Sequence, residues 1–311
     1  GVPLVVEEIT SSKDDFVRAS KEEVLEQIIA DLEFAVNYLP DISKVADGRV
    51  SNVAANHLLS EIALAAKNYD LAVKSASAAI NNPAMGLMKE RFGSRKDEPG
   101  DLYWDLFQRG NQNRSSGNKE AIFVIQFELD ILGGGQSSTK RTGYLMERFH
   151  APNTPLATDP WDKGVIADML QTTNIGRGAG WLMPTFHFSN VIWYDVNNEI
   201  DYGDIRVSEY NFPRGIKYNN PNGPEKYQGV YFDINTAENQ YCLSTQGIWS
   251  RGAYPYQTKC TTPNDHPASM IANEKTGELR SDAGVTYSDW YDMRLAETYL
   301  LRAEAYLMKG D

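Results

Sequence analysis

Four histidines are the first side chains to consider for catalysis or metal binding. They stand far apart along the chain, at positions 57, 150, 187 and 266. No two of them have the helical spacing with which paired histidines bind zinc. The sequence also has no Gly-x-Ser-x-Gly nucleophile elbow and no phosphate-binding Gly-x4-Gly-Lys-Ser/Thr loop. These absences give catalysis little support, and we predict no catalytic residues, metal or cofactor.

Carboxylates are abundant, and two of them could still meet in space as the acid and base of a glycoside hydrolase, because that pair needs no fixed sequence spacing. One local set alternates like the first four ligands of a calcium loop: Asp195, Asn197, Glu199 and Asp201. Position six of that loop is Ile200, where glycine is required, and position twelve is Arg206, where glutamate is required. The pattern therefore does not predict a calcium site.

The aromatic side chains suggest a binding function. Flat aromatic faces next to Asn, Asp and Arg suit a sugar ring, whose C–H face is apolar and whose hydroxyls need hydrogen bonds. Three of the 6 tryptophans lie in turn-rich sequence, and we predict them as stacking faces of a ligand site: Trp161, Trp181 and Trp249. We predict that Trp193, in Val-Ile-Trp-Tyr, and Trp290, beside the last helix, belong to the core.

Charge and composition limit the class of protein and its partners. The 30 basic and 42 acidic residues give a net charge of −12, which opposes binding to nucleic acid and to anionic lipid surfaces. No apolar run approaches the roughly 20 residues of a membrane helix. The first residues, GVPLVV, lack an initiator Met and a signal-peptide pattern, so we expect a chain cut from a longer product. Cys242 and Cys260 could form a disulfide or remain thiols.

Helical patterns lie near both ends of the chain. Ser20 and Glu23 have the spacing of a capping box, which predicts a helix over 21–38 that ends before Pro40. Two further helical runs follow Ser51, and the second has tetratricopeptide-like spacing at Tyr69, Ala72, Ala76, Ala79 and Pro83. In the final stretch one helical face is predicted at Leu295, Tyr299, Ala303 and Tyr306, with Gly310 as the stop.

The middle of the chain is rich in Gly, Pro, Asn and Tyr. Its clearest strand is predicted at 120–129, and Gly176, Gly178 and Gly180 predict a tight loop. We expect a mostly α fold, in which tetratricopeptide-like helical hairpins support a large irregular lobe with short strands. The expected organisation is a helical region at 1–90, an aromatic-rich binding lobe at 91–285 and the start of a further hairpin at 286–311, all in one structural unit truncated at both ends.

Several motifs are typical of one family. The most specific is RLAETYLLRAEAY at 294–306. The others are GVPLV at 1–5, RAS at 18–20, QIIADLE at 27–33, GRVSNVAA at 48–55, EAIFVIQF at 120–127 and DIR at 204–206. Together these segments resemble the SusD/RagB-like, or starch-utilisation-type, nutrient-binding outer-membrane lipoproteins of the Bacteroidetes. The resemblance implies a central fragment of such a protein.

The resemblance also implies a function. Members of this family are non-catalytic, capture oligosaccharide or polysaccharide at the cell surface and deliver it to a SusC-like TonB-dependent transporter. The implied location is the outer membrane, reached through a lipid anchor that lies outside this chain. Two other readings remain open at this point. A tetratricopeptide scaffold could hold a peptide or protein in its groove, and a glycoside hydrolase could use two of the carboxylates.

Overall fold

The structure is a computed structural model, and it describes residues 1–129, 131, 144–157, 168–185, 187–197, 199–233, 251–283 and 286–310. The chain divides into two compact units. The helical unit comprises 1–89, 113–125 and 290–311, and the loop-rich unit comprises 90–112 and 126–289.

The secondary structure is mainly helical near the chain ends and consists of short pieces between them. The α-helices of the described residues are α1 (Lys21–Tyr38), α2 (Asn52–Ala65), α3 (Tyr69–Ile80), α4 (Leu102–Leu106), α5 (Met146–His150) and α6 (Leu295–Lys309). The strands are β1 (Ala121–Ile125), β2 (Gly215–Lys217), β3 (Tyr231–Asp233), β4 (Ile271–Asn273), β5 (Glu278–Leu279) and β6 (Trp290–Arg294). The predicted fold class, helical hairpins with a loop-rich region of short strands, is confirmed.

Side-chain caps begin α1, α2 and α3 where the sequence predicts. The Ser20 hydroxyl accepts from the Glu23 amide at 3.1 Å, and the Glu23 carboxylate accepts from the Ser20 amide at 2.8 Å. This is the predicted capping box. Ser51 caps α2 and Asn68 caps α3 in the same manner, each accepting from the amide three residues ahead. Each cap satisfies an amide that the helix leaves without a backbone partner.

Small side chains hold α2, α3 and α6 together. Ala63 in α2, Ala72 in α3 and Ala305 in α6 form one buried cluster, and all three are fully buried. Ala76 and Ala79 in α3 are fully buried as well. Alanine at these positions lets the helix backbones approach closely. The predicted tetratricopeptide-like packing of α3 is therefore confirmed.

The buried face of α6 differs from the prediction. Leu295 is buried as expected, but the other buried residues of α6 are Thr298 and Ala305, whereas Ala303 and Tyr306 are exposed. Thr298 lies on the buried face, where its hydroxyl is 2.8 Å from Nδ1 of His57 in α2. The buried face therefore includes a polar side chain, which apolar spacing does not indicate. Gly310 ends the helix with a φ of 87°, as predicted.

A two-stranded antiparallel sheet, β1 with β6, completes the helical unit. The strand predicted at 120–129 is confirmed over Ala121–Ile125 and ends earlier than expected. Glu120, just before it, accepts from the Met88 amide at 2.9 Å and from the Arg294 guanidinium at 2.8 Å. The prediction that Trp290 is a core residue is wrong: 38% of it is exposed, because side chains alternate along β6 and Trp290 lies on the outer face.

The loop-rich unit has its own cores, which are dominated by aromatic residues. The largest contains four buried tyrosines, Tyr218, Tyr227, Tyr254 and Tyr256, with Phe232. Trp193 packs with Val207 and Phe212 in a second cluster, so the prediction that it is core is confirmed. Among the described residues of this unit, the strands form two short pairs, β2–β3 and β4–β5.

Candidate ligand-binding site

The predicted stacking residues fall in different parts of the chain. Trp161 and Trp249 lie outside the described residues. Trp181 is described, and it is 56% exposed although it is one of the largest apolar side chains. Its ring lies 5.5 Å from that of Phe149, with the planes inclined at 41°. A half-covered indole supported by a second ring presents a flat apolar face to solvent.

Trp181 follows the segment that contains the three glycines; the turn itself lies at 173–175, and residues 176–180 are irregular. Gly180 has a φ of 63°, a conformation that favours glycine. A Cβ on Gly178 would lie 1.9 Å from the carbonyl oxygen of Ala151, so only glycine permits this approach. The loop therefore packs its backbone directly against the end of α5.

Hydrogen bonds fix this contact at four successive carbonyls. The carbonyls of Arg148, Phe149 and Ala151 accept from the amides of 179, 182 and 180 at 2.8, 3.0 and 3.1 Å. The carbonyl of His150 accepts from the hydroxyl of Tyr254 at 3.1 Å. The last turn of α5 would otherwise leave these acceptors unpaired. The α5 end, the glycine loop and the segment at 251–254 thus form one rigid support for Trp181.

A buried carboxylate holds the base of this support. Glu147 in α5 is fully buried and accepts from the amides of Arg177 and Thr262, both at 3.0 Å. Its Oε1 lies 2.9 Å from Nε2 of His266, whose Nδ1 lies 2.9 Å from the hydroxyl of Thr173. One side chain therefore ties together three segments that are distant in sequence.

Three arginines lie close together on this support, and one of them, Arg148, lies near the exposed ring. The Arg148 guanidinium lies 5.9 Å from the centre of the Trp181 ring and donates to the Arg177 carbonyl at 3.3 Å. Arg251 donates from Nε and Nη2 to the carbonyl of Ala179. We define the Trp181 platform as Trp181, Phe149, Arg148, Arg177 and Arg251.

The charges of the platform act on one another. Burial lowers the pKa of Arg148, and the positive charges of Arg177 and Arg251 lower it further. Burial also lowers the pKa of His150, with a smaller contribution from Lys259. In the described part of the chain, none of the three platform arginines forms an ion pair with a carboxylate. The platform is thus an apolar face bordered by positive charge.

Sequence reasoning proposed Trp181 as a stacking residue but did not indicate the residues around it. Arg177 lies between Gly176 and Gly178, so the predicted tight loop was the one local signal for it. Nothing in the spacing of Glu147 and His266 indicates that they meet, because the two residues are 119 positions apart.

The acidic set that alternates like a calcium loop is a polar turn. Oδ1 of Asp195 accepts from the amides of Asn197 and Glu199 at 2.8 and 3.0 Å, and Oδ2 accepts from the Asn197 side chain at 3.1 Å. These bonds lower the pKa of Asp195, the bond from the Glu199 amide contributing most. The carboxylate thus accepts hydrogen bonds from the backbone of its own turn.

Cys260 is a buried free thiol, and burial raises its pKa to about 11, while Cys242 lies outside the described residues. A thiol with so high a pKa is unreactive near neutral pH. Among the helices of the described residues, none is long and apolar enough to cross a membrane.

Comparison with known proteins gives a result only at the level of three-dimensional structure. No family model matches the sequence, and no curated protein matches it. Solved structures match over nearly the whole chain. A SusD superfamily protein from Bacteroides vulgatus has 18% identity and a TM-score of 0.55, covering 99% of this chain and 50% of that protein. This chain has the SusD-like fold.

Two further SusD-like neighbours give the same picture. A laminarin-binding SusD-like protein has 20% identity and a TM-score of 0.53, covering 98% of this chain and 54% of its own. Surface glycan-binding protein A from Bacteroides uniformis has 15% identity and a TM-score of 0.51, and the match covers 99% of this chain and 50% of that protein. The chain therefore spans about half the length of the SusD-like proteins it matches.

Proposed function

We propose that this chain binds an oligosaccharide or polysaccharide without cleaving it, and that the Trp181 platform forms part of the binding surface. The observation that carries the proposal is the exposed indole of Trp181 on a SusD-like fold. Solved proteins with this fold include one described as laminarin-binding and others described as surface glycan-binding. The indole offers the apolar face that a sugar ring stacks on, and the arginines offer donors for its oxygen atoms.

The support beneath Trp181 favours a binding role over a purely structural one. A tryptophan needed only for packing would be buried, as Trp193 is at 7% exposure. Trp181 is instead held outward on a loop whose carbonyl and amide groups are paired with α5. The exposed ring is therefore pre-organised, so that a ligand loses little binding energy in ordering it. Trp161 and Trp249 remain proposed as further stacking faces of the same ligand.

The wider role that we propose follows the SusD-like fold and the sequence resemblance. The chain would belong to a surface-exposed lipoprotein of the outer membrane that delivers the glycan to a TonB-dependent, SusC-like transporter. The net charge of −12 agrees with a partner other than nucleic acid or an anionic membrane surface.

The direct test is gel retardation of the chain in gels that contain soluble polysaccharides, with quantification of affinity by calorimetry. We expect Trp181→Ala to weaken binding at least tenfold, about 1.4 kcal/mol, because the stacking face is lost. Tyr202→Ala is the matched control, since Tyr202 is 72% exposed in the same unit and lies outside the platform. Equal affinity of the Trp181→Ala variant for every retained polysaccharide would contradict the proposed site.

Two further measurements test the remaining parts of the proposal. Incubation with a polysaccharide that binds should release no new reducing ends, and their appearance would show an enzyme instead. Cross-linking in intact cells, followed by purification of the tagged protein, should recover an outer-membrane barrel. A repeated purification without any barrel would contradict the role with a transporter, while leaving glycan binding to be judged by the gels.

A further inference from the structure

The Trp181 platform has the opposite charge to the chain that carries it. The whole chain has a net charge of −12. The platform nevertheless gathers Arg148, Arg177 and Arg251, which are close enough for two of the charges to lower the pKa of the third. Placing three like charges together costs free energy unless an opposite charge joins them. The concentration of positive charge therefore requires an explanation.

Several donors of these arginines have no partner among the residues that the structure describes. Arg251 uses Nε and Nη2 for the Ala179 carbonyl, which leaves Nη1. Arg148 uses Nη1 for the Arg177 carbonyl, which leaves Nε and Nη2. The guanidinium of Arg177 has no hydrogen-bond or ion-pair partner among the residues that the structure describes. A guanidinium presents its donors as a planar fork that matches the two oxygens of a carboxylate or sulfate group.

In the described part of the loop-rich unit, the acceptors at the end of α5 are already occupied. The carbonyls of 148, 149, 150 and 151 all accept hydrogen bonds from within the support. The nearby carboxylate of Glu147 is fully buried, and its oxygens are used by Arg177, Thr262 and His266. An incoming anion would thus meet donors and positive charge rather than competing acceptors.

We propose that the Trp181 platform recognises an anionic glycan, in which a sugar bearing a carboxylate or a sulfate ester stacks on Trp181 and pairs with the arginines of the platform. This inference rests on the proposed function and narrows its substrate class. The net negative charge of the rest of the chain repels a polyanion. Binding of an acidic polysaccharide would therefore be confined to this positive surface.

Matched pairs of polysaccharides that differ only in charge provide the test. The first pair is polygalacturonate and its methyl-esterified form, and the second is dextran sulfate and dextran. The first pair tests a carboxylate ligand and the second a sulfate ligand. We expect the 311-residue chain to bind the charged member of at least one pair at least tenfold more tightly than the neutral member. Raising the salt concentration should weaken that binding, because exposed charges are screened.

The decisive variant is Arg177→Gln, since the structure gives its side chain no contact whose loss would unfold the loop. We expect it to lower affinity for the charged polysaccharide about tenfold, and the double variant with Arg148→Gln to remove the charge preference. Arg280→Gln is the matched control, because Arg280 is exposed in the same unit and is paired with Asp282. Circular dichroism and urea unfolding should show that all three variants keep the wild-type fold.

The outcomes separate this inference from the proposed function. If a neutral member binds as tightly as its charged counterpart, loses affinity in Trp181→Ala and is unaffected by Arg177→Gln, glycan binding stands and the anionic preference is overturned. A charge preference that persists in the double arginine variant also overturns it. If no polysaccharide, charged or neutral, binds the chain, both the proposed function and this inference fail.

Discussion

Each of the two units of this protein is stabilised internally by a different kind of contact. In the helical unit, α2, α3 and α6 meet through fully buried alanines such as Ala72 and Ala305. In the loop-rich unit, segments without regular structure are joined by buried polar groups. Glu147 is fully buried among three partners, and fully buried Asp105 binds the Arg91 guanidinium at 2.5 and 3.0 Å.

This difference in packing indicates which unit can hold a binding surface in place. Helices satisfy their own backbone groups, so they can pack through apolar side chains alone. Loops cannot do so, and each buried carbonyl or amide needs a specific partner. The same network that satisfies the loop around Gly178 also holds Trp181 and its arginines in place. The loop-rich unit is therefore the part of the protein in which exposed side chains such as Trp181 are held in fixed positions.

The strongest test of this comparison removes the central polar group of the loop-rich unit. We expect Glu147→Ala to lower the free energy of unfolding by about 3–5 kcal/mol, because it leaves buried donors without an acceptor. Urea unfolding measures the change. Glu225→Ala, at an exposed position of the same unit, should stay within about 0.5 kcal/mol of the wild type. A loss below about 1 kcal/mol in Glu147→Ala would show that apolar packing dominates this unit too.

A buried histidine in the helical unit should make the stability of that unit depend on pH. His57 is 2% exposed, and burial lowers its pKa to about 4, although the charge of Asp292 opposes the shift. The unfolded histidine has a pKa near 6.5, so below that pH the unfolded chain takes up a proton that the folded chain refuses. The stability present above pH 6.5 is therefore lost as the pH falls toward 4, by about 3 kcal/mol in all.

A His57→Asn variant isolates this effect, because an asparagine amide can reach Thr298 without titrating. Stability measured in urea at pH 7, 5.5 and 4.5 should fall more steeply in the wild type than in the variant. The comparison between variants is needed because the pKa of Glu297, 3.5 Å from His57, is raised mainly by burial and has the opposite effect on stability. Parallel curves for wild type and variant would contradict the prediction, and exposed His187→Asn should reproduce the wild-type curve.

The smallest expected change tests the alanine packing directly. Ala72→Leu adds three carbons between α2, α3 and α6, where the structure leaves the alanine fully buried. We expect a loss of about 1–3 kcal/mol in the free energy of unfolding, because the helices must separate or the leucine must adopt a strained rotamer. Ala303→Leu is the matched control on the exposed face of α6 and should be nearly neutral. Equal effects of the two substitutions would mean that close helix approach is not what stabilises this unit.

Local patterns allowed much of the helical unit to be predicted. The capping box at Ser20 and the alanine spacing of α3 were confirmed, since both depend on residues within one or two helical turns. The face of α6 was predicted incorrectly because its buried residues include Thr298, a polar side chain that pairs with His57 of another helix and that apolar spacing does not indicate. Trp290 was misplaced because it is the first residue of β6 and pairs with Ile125 at the end of β1, where both side chains are exposed.

For the candidate site, the sequence determined that an aromatic residue follows a segment with three glycines in an irregular region. The glycines at 178 and 180 are visible in the sequence, and they permit the close backbone approach and the positive φ that the structure has there. Only the tertiary structure decided that Trp181 is exposed, that Arg148 and Arg251 lie beside it and that Glu147 and His266 form its base. Those contacts join residues far apart in the chain, and their free energy depends on burial and hydrogen-bond geometry that exist only once the segments have packed.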